Sequence, residues 1–268
     1  MGDIDSASLA TAVALASVVL LGMTMGLAGA LRLEVSRSLV SASLRAAVQL
    51  VVVGLVLAIL IEAPMATAWA WLWVVAMVVI AVVVVARRTQ SPARGVAAAV
   101  LVSVGFSVAT AIVITFGFDV FVFSPTALIV LSGITIGNAV PSAALGVNQA
   151  TKAITSSPGS LDAALALGFT RRQVVAFFAP EPARSTLIPQ IERTKVVGLI
   201  ALPGAMTGLL LAGVSPIEAA LVQLLVMLLV LGSTALCAVM VVAVVVYSAV
   251  DGNLTPSGWT HNPGHHKR

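Results

Sequence analysis

Residues 217–249 read IEAALVQLLVMLLVLGSTALCAVMVVAVVVYSA, an apolar run that contains Glu218 near its start and neither lysine nor arginine. A helix needs about 20 apolar residues to cross the hydrocarbon core of a bilayer. Strands of a membrane barrel would instead alternate polar and apolar residues in segments of about ten. The run therefore predicts a transmembrane α-helix.

The composition of the whole chain points to the same class of protein. Of its 268 residues, 60% are hydrophobic and 9% are charged, and the mean hydropathy is +1.12. Soluble domains carry roughly 25% charged residues, and disordered chains are polar and rich in charge. A soluble globular protein and a disordered chain are both excluded. The sequence predicts an all-α polytopic membrane protein.

Apolar segments of transmembrane length recur along the chain. We predict seven of them, at residues 8–31, 39–61, 66–86, 96–117, 124–147, 187–213 and 217–249. Residues 1–249 then form the membrane domain, and residues 148–186 form its one long loop, between helices 5 and 6. Residues 250–268 are polar and are predicted to be a disordered tail.

The positions of the charged residues predict the orientation. One side of the membrane receives the basic loop residues, namely Arg32, Arg37, Arg87, Arg88, Arg94, Lys152, Arg171, Arg172, Arg184, Lys267 and Arg268. The other side receives only acidic ones, namely Asp3, Asp5, Glu62, Asp119 and Glu218. Lysine and arginine mark cytoplasmic loops. The N-terminus is therefore predicted outside, and the long loop and the tail in the cytoplasm.

The long loop carries signals for two short helices. Ser157-Pro158 is a helix start, and Gly168 is suited to the left-handed residue that follows a helix end. Thr170 and Gln173 match a capping box for the second helix. In that helix Val174, Phe177 and Phe178 recur at helical spacing, which predicts one apolar face for a groove on another protein.

Two amide side chains lie near the middle of predicted spans. Gln49 is in the second span and Asn138 in the fifth. Polar groups at this depth are costly and usually face protein or a water-filled cavity. Either the two side chains hydrogen-bond neighbouring helices, or they line a translocation pathway.

The sixth segment combines a helix break with polar groups. Pro203 and Gly204 interrupt the helical pattern at mid-span, and Met206 and Thr207 follow directly. The break is either a packing kink or a hinge beside a pathway. Glu192, Arg193 and Lys195 begin this segment, which predicts that they lie at the inner interface, where Glu192 is a candidate to attract a cation into a vestibule.

The long loop resembles the EAA loop of ABC-transporter permeases, in which Glu-Ala-Ala is followed after three residues by glycine. Here Asp162, Ala163 and Ala164 precede Gly168 at that distance. Three further stretches, at residues 41–50, 133–138 and 197–208, resemble the FetB-type permease family of bacterial iron exporters and plant aluminium-tolerance permeases. The resemblance covers roughly residues 30–245.

This resemblance implies a permease subunit, not an enzyme, that exports iron or a related metal or small solute. It would be a multi-pass protein of the plasma (inner) membrane, a homodimer in the lipid bilayer with two ATPase subunits, and would not bind nucleic acid. The coupling residues would be Asp162, Ala163, Ala164, Gly168, Arg171, Arg172 and Phe177. The pathway residues would be Gln49, Asn138, Glu192, Pro203, Gly204, Met206 and Thr207.

No Gly-x-x-x-x-Gly-Lys-Ser/Thr motif occurs in the sequence, so ATP and magnesium are expected on a separate subunit. The residues reveal no metal-ligand set, so the metal site is unknown. A secondary transporter that works without ATP and a seven-helix receptor remain alternatives. A retinal protein is excluded, because residues 217–249 contain no lysine to bind retinal.

Overall fold

The computed structural model describes residues 6–30, 36–89, 91, 95–198 and 202–260. The regular secondary structure of these residues is helical, with one isolated bridge between Val250 and Pro256. The ten helices are α1 (Ser6–Ala30), α2 (Ser36–Glu62), α3 (Ala66–Thr89), α4 (Val96–Gly117), α5 (Pro125–Thr155), α6 (Pro158–Ala166), α7 (Arg171–Phe178), α8 (Pro180–Lys195), α9 (Gly204–Leu211) and α10 (Pro216–Tyr247).

The helices fall into two compact units. Met1–Pro64 forms the first unit, in which α1 contacts α2. Met65–Arg268 forms the second, in which α5 and α10 pack against each other along their length and are flanked by α3, α4 and α8. The candidate sites described below lie in the second unit.

Five helices are long and apolar enough to cross a membrane, namely α2, α3, α4, α5 and α10. They coincide with five of the seven predicted segments. Helix α1 (Ser6–Ala30) coincides with the first segment. An all-helical membrane protein is therefore what the structure supports, and the count of seven spans stays a prediction.

The sixth predicted segment, residues 187–213, is not one helix. Helix α8 ends at Lys195 and α9 begins only at Gly204. Gly198 has a left-handed φ of +86°, and Pro203 is extended with φ −66° and ψ 149°. The eight residues of α9 amount to about 12 Å of helix, less than half of a bilayer core. The prediction of a break at Pro203-Gly204 is confirmed, and residues 196–198 also lie outside a helix, whereas residues 199–201 are outside the described residues.

The helix ends follow the local signals with one exception. Ser124 and Ser215 cap α5 and α10, accepting hydrogen bonds from backbone N–H groups at 3.1 Å and 3.4 Å. The capping box of Thr170 and Gln173 is present, and Gly168 has a φ of +83°. The exception is the end of α5, predicted at residue 147 and found at Thr155. Helix α5 is therefore about 46 Å long and extends beyond the bilayer core.

The chain after α10 is not a disordered tail as far as residue 260. Trp259 is 5% exposed, and its indole N–H donates to the carbonyl oxygen of Ser248 at 3.3 Å. The Ser257 hydroxyl donates to the same carbonyl oxygen at 2.7 Å and also lies 2.9 Å from the Asp251 carboxylate. The prediction failed because one buried aromatic ring and a short hydrogen-bonded turn order this otherwise polar segment. Residues 261–268 of the predicted tail lie outside the described residues.

Helices α5, α8 and α10 meet closely at Gly146. A Cβ added there would lie 2.8 Å from Val241 Cγ1, 3.3 Å from Val242 Cγ2 and 3.6 Å from Thr186 Cγ2. Real side chains do not approach so closely without displacing their neighbours. The glycine therefore sets the distance between the three helices at this level.

Candidate functional site

A cavity of about 230 Å³ lies among α5, α8, α9 and α10. Its lining residues are Ile134, Asn138, Gln190, Arg193, Thr194, Val197, Pro203, Ala205, Gln223, Val226, Met227 and Val230. The polar groups of this set are amides, a hydroxyl and a guanidinium. Among these described residues there is one charged side chain, Arg193, and no carboxylate.

Arg193 is positioned by Asn138. The Asn138 side chain donates from Nδ2 to the carbonyl oxygen of Ile134 at 2.8 Å, which leaves its Oδ1 as an acceptor. Arg193 Nη1 donates to that Oδ1 at 3.4 Å. The asparagine is thus fixed on α5, and the guanidinium of the exposed Arg193 bonds to it at the cavity wall.

Gln223 supports the start of α9 from the neighbouring helix α10. The first N–H groups of a helix have no partner within the helix. The N-cap of α9 is Pro203, whose side chain offers no acceptor, so another group must supply one. Gln223 is 9% exposed, and its Oε1 accepts a hydrogen bond from Met206 N at 3.3 Å. The break in the sixth segment is therefore supported by a side chain of another helix.

A second cavity, of about 260 Å³, adjoins the same pair of residues. Asn138, Gln190 and Arg193 line both cavities. The second one also contacts the proline kinks of both helices, at Pro141 of α5 and Pro189 of α8. Asn138 and Arg193 therefore form the partition between two spaces.

This partition lies far from the ends of α5. Asn138 is about 20 Å along α5 from Pro125, close to the middle of the predicted fifth span. Arg193 contacts it and so lies at the same level. The prediction that Arg193 lies at the inner interface stays a prediction, and what the structure adds is that α8 packs along α5 and brings the Arg193 side chain to Asn138.

The predicted pathway residues divide into three groups. Asn138 and Pro203 line the cavity, and Gly204, Met206 and Thr207 form the first turn of α9 beside it. Glu192 is 61% exposed and forms an ion pair with Lys195 at 2.7 Å. Gln49 lies on α2, in the other compact unit.

Four polar residues of the cavity were absent from the predicted pathway set, namely Gln190, Arg193, Thr194 and Gln223. Gln223 had a usable signal, since it is an amide inside an apolar run, as Gln49 and Asn138 are. Gln190 and Arg193 had none, because their position depends on how far α8 extends along α5.

Metal ligation finds little support in the parts of the chain that the structure describes. They contain no group of three or more His, Cys, Asp or Glu side chains that could hold a metal ion. The amide oxygens of the cavity are weak ligands beside a fixed positive charge. The cavity can hydrogen-bond a polar solute, and the metal-ligand set stays unknown.

The helix pair α6–α7 is the second candidate site. Five of its seven predicted coupling residues are exposed, namely Asp162, Ala163, Gly168, Arg172 and Phe177. Ala164 is buried. The residues of the predicted apolar face of α7 differ in their surroundings, since Val174 is fully buried within the chain whereas Phe177 is 67% exposed. Leu167, 78% exposed, joins Phe177 as an outward apolar residue.

Arg171, the seventh predicted coupling residue, bonds within the chain. Its Nε donates to the carbonyl oxygen of Asp251 at 3.2 Å, and its Nη1 lies 3.5 Å from the Tyr247 hydroxyl. The guanidinium carbon also lies 5.0 Å from the centre of the Tyr247 ring, within the range of a cation–π contact. Arg171 therefore ties α7 to the end of α10.

The fold and the sites define a helical integral membrane protein with a polar cavity and a projecting helix pair. The chain belongs to the family described as "Uncharacterised protein family (UPF0014)", whose model matches residues 10–250. It is 34% identical over 225 residues to the UPF0014 membrane protein STAR2 of rice (Oryza sativa subsp. japonica), covering 84% of this chain and 78% of that one.

Other relatives confirm the resemblance to the FetB-type family. The probable iron export permease protein FetB of Escherichia coli is 28% identical over 72% of this chain and 73% of its own. The Arabidopsis thaliana protein ALUMINUM SENSITIVE 3 is 36% identical over 43% of this chain and 42% of its own. No solved structure matches the chain.

Proposed function

We propose that this chain is the membrane-spanning permease subunit of an ABC transporter, and that it exports iron or a related metal or small solute from the cell. A separate ATPase subunit supplies the energy and binds ATP and magnesium. Two copies of each subunit form the transporter in the plasma (inner) membrane. The relative named as a probable iron export permease supports this substrate class.

The observation that carries the proposal is the helix pair α6–α7. It follows the long helix α5, whose last eight residues, 148–155, add about 12 Å beyond the predicted end of the span. In the proposed topology this extension places the start of the pair on the cytoplasmic side, beyond the hydrocarbon core. Leu167 and Phe177 project from it, and exposed apolar side chains of this kind are suited to a partner protein.

The connections of the helix pair give it a way to transmit movement. Helix α7 contacts α10, Arg171 bonds at the end of α10, and α8 follows α7 after a single residue. A displacement of α7 is therefore passed to α8 and α10, which line the cavity. This arrangement favours a coupled transporter over a secondary transporter or a seven-helix receptor, neither of which needs a projecting helix pair.

The test is coexpression with an ABC ATPase encoded beside this chain, followed by reconstitution into vesicles and measurement of ATP-driven iron transport. Phe177→Asp places a charge at the proposed contact and is expected to abolish copurification of the ATPase and transport. Phe118→Asp is the matched control, because Phe118 is 77% exposed at the other end of the helices. Normal coupling in Phe177→Asp would contradict the proposal.

A further inference from the structure

The cavity carries an unbalanced positive charge. Of the charged residues near the end of α8, Glu192 and Lys195 pair with each other at 2.7 Å, so they neutralise one another. Arg193 bonds an uncharged amide oxygen, and this is the single hydrogen bond of its side chain within the described residues. Most of its five N–H donors therefore remain available to a ligand.

The amino end of α9 adds to this charge. Pro203 and Ala205, the N-cap and the second residue of α9, line the same cavity as Arg193. The start of a helix carries about half a positive charge and unpaired N–H groups. The carboxyl end of α8 also faces the cavity, with about half a negative charge. The two helix ends offset each other, and the full charge of Arg193 decides the sign.

We propose that this cavity binds the anionic oxygens of the cargo, a carboxylate or phosphate group held by the guanidinium of Arg193 and the N–H groups at the start of α9. Asn138 is the positioning residue that holds the guanidinium. The inference rests on the proposed function insofar as the ligand is the transported solute. It implies that any exported metal crosses as an anionic complex, because a bare cation would meet a positive wall.

Equilibrium binding to the purified full-length chain in lipid nanodiscs, without any ATPase, tests the inference. The probes are citrate, inorganic phosphate, ferric citrate and iron(II) alone, measured by calorimetry. Citrate or phosphate should bind saturably. If ferric citrate binds as well, a metal complex is an acceptable ligand. If phosphate is the one probe that binds, the ligands are phosphate compounds.

Arg193→Gln should weaken anion binding roughly ten- to hundred-fold, the usual value of a charge-assisted hydrogen bond. Arg193→Lys should restore part of it, since lysine keeps the charge but loses the forked geometry. Arg184→Gln is the matched control on the same helix, where Arg184 is exposed and outside the cavity lining, and it should bind as the wild type does.

Saturable binding of iron(II) alone that survives Arg193→Gln, with no binding of either anion to the wild-type chain, would overturn the inference. The wild-type result decides even if Arg193→Gln does not fold. Because no ATPase is present, a failure here leaves the proposed coupling intact. Conversely, a failure to couple with an ATPase leaves the anion result standing.

Discussion

Helices α5, α8 and α10 meet at two levels, and the two levels differ sharply. At the first, Gly146 of α5 lies against Thr186 of α8 and Val242 of α10, so closely that a Cβ on residue 146 would contact both of them. At the second, Asn138, Arg193 and Gln223 come from the same three helices and surround a cavity. The two levels are eight residues of α5 apart, or about 12 Å.

Different features determine the spacing of the helices at the two levels. The closed level depends on a missing side chain, since glycine lets three backbones approach. The open level depends on side chains that need polar partners and on the end of α8 at Lys195, after which residues 196–198 leave the helix.

The largest effect is expected at the closed level. Gly146→Val would force side-chain atoms into Val241 and Val242, which are stiff, β-branched neighbours. Overpacking of this kind costs about 3 kcal/mol of stability. Thermal unfolding in detergent measures it. Gly137→Val on the same helix is the control, because a Cβ there meets nothing within 4 Å. Equal stability of the two variants would contradict the inference that the three helices are closely packed at Gly146.

A smaller effect on stability is expected at the break between α8 and α9. Gly198 has a φ of +86°, so Gly198→Ala should cost about 1–2 kcal/mol for the left-handed conformation. Gly204→Ala, at the first residue of α9, should be neutral or slightly stabilising, since alanine favours a helix and its Cβ meets nothing within 4 Å. Unfolding curves compare the two, and a Gly198→Ala variant as stable as Gly204→Ala would argue for a continuous helix.

The smallest expected effect is a difference in stability between substitutions at two threonines of α8. Thr186 and Thr194 each donate to the carbonyl oxygen four residues earlier, at 2.7 Å and 2.8 Å. Thr186 is 1% exposed at the closed level, whereas Thr194 is half-buried at the cavity. Thr186→Ala should cost about 1 kcal/mol for the lost buried methyl group, and Thr194→Ala clearly less. The same unfolding assay measures both losses of stability. A larger loss for Thr194→Ala than for Thr186→Ala would contradict the difference between the two levels.

The sequence is informative where structure depends on neighbouring residues. The long apolar runs predict the long helices, and local side chains predict the caps at Ser124, Thr170 and Ser215. It fails where structure depends on distant contacts. Arg193 lies beside Asn138 because α8 packs along α5, and no local pattern contains that information. Trp259 likewise orders the residues after α10 only because it contacts Ser248.

The candidate sites show the same division. Asn138 and Pro203 are recognisable because polar or helix-breaking residues are rare in apolar runs. Gln223 shares that signal. The roles of Phe177 and Val174 are not separable from spacing alone, since both lie on the apolar side of α7. Which of them faces the chain and which faces outward is decided by where α10 lies.

We propose that the cavity changes its exposure to water as a partner ATPase binds and hydrolyses ATP. The most direct measurement is the rate at which a water-soluble thiol reagent labels Ala205→Cys, in a Cys237→Ala background, in the nucleotide-free and vanadate-trapped complexes. Ala205 lines the cavity, and Val122→Cys, at a residue that is 90% exposed, is the control. We expect the labelling rate at residue 205 to change several-fold between the two states and the rate at residue 122 to stay the same. Equal labelling of residue 205 in the two states would contradict it.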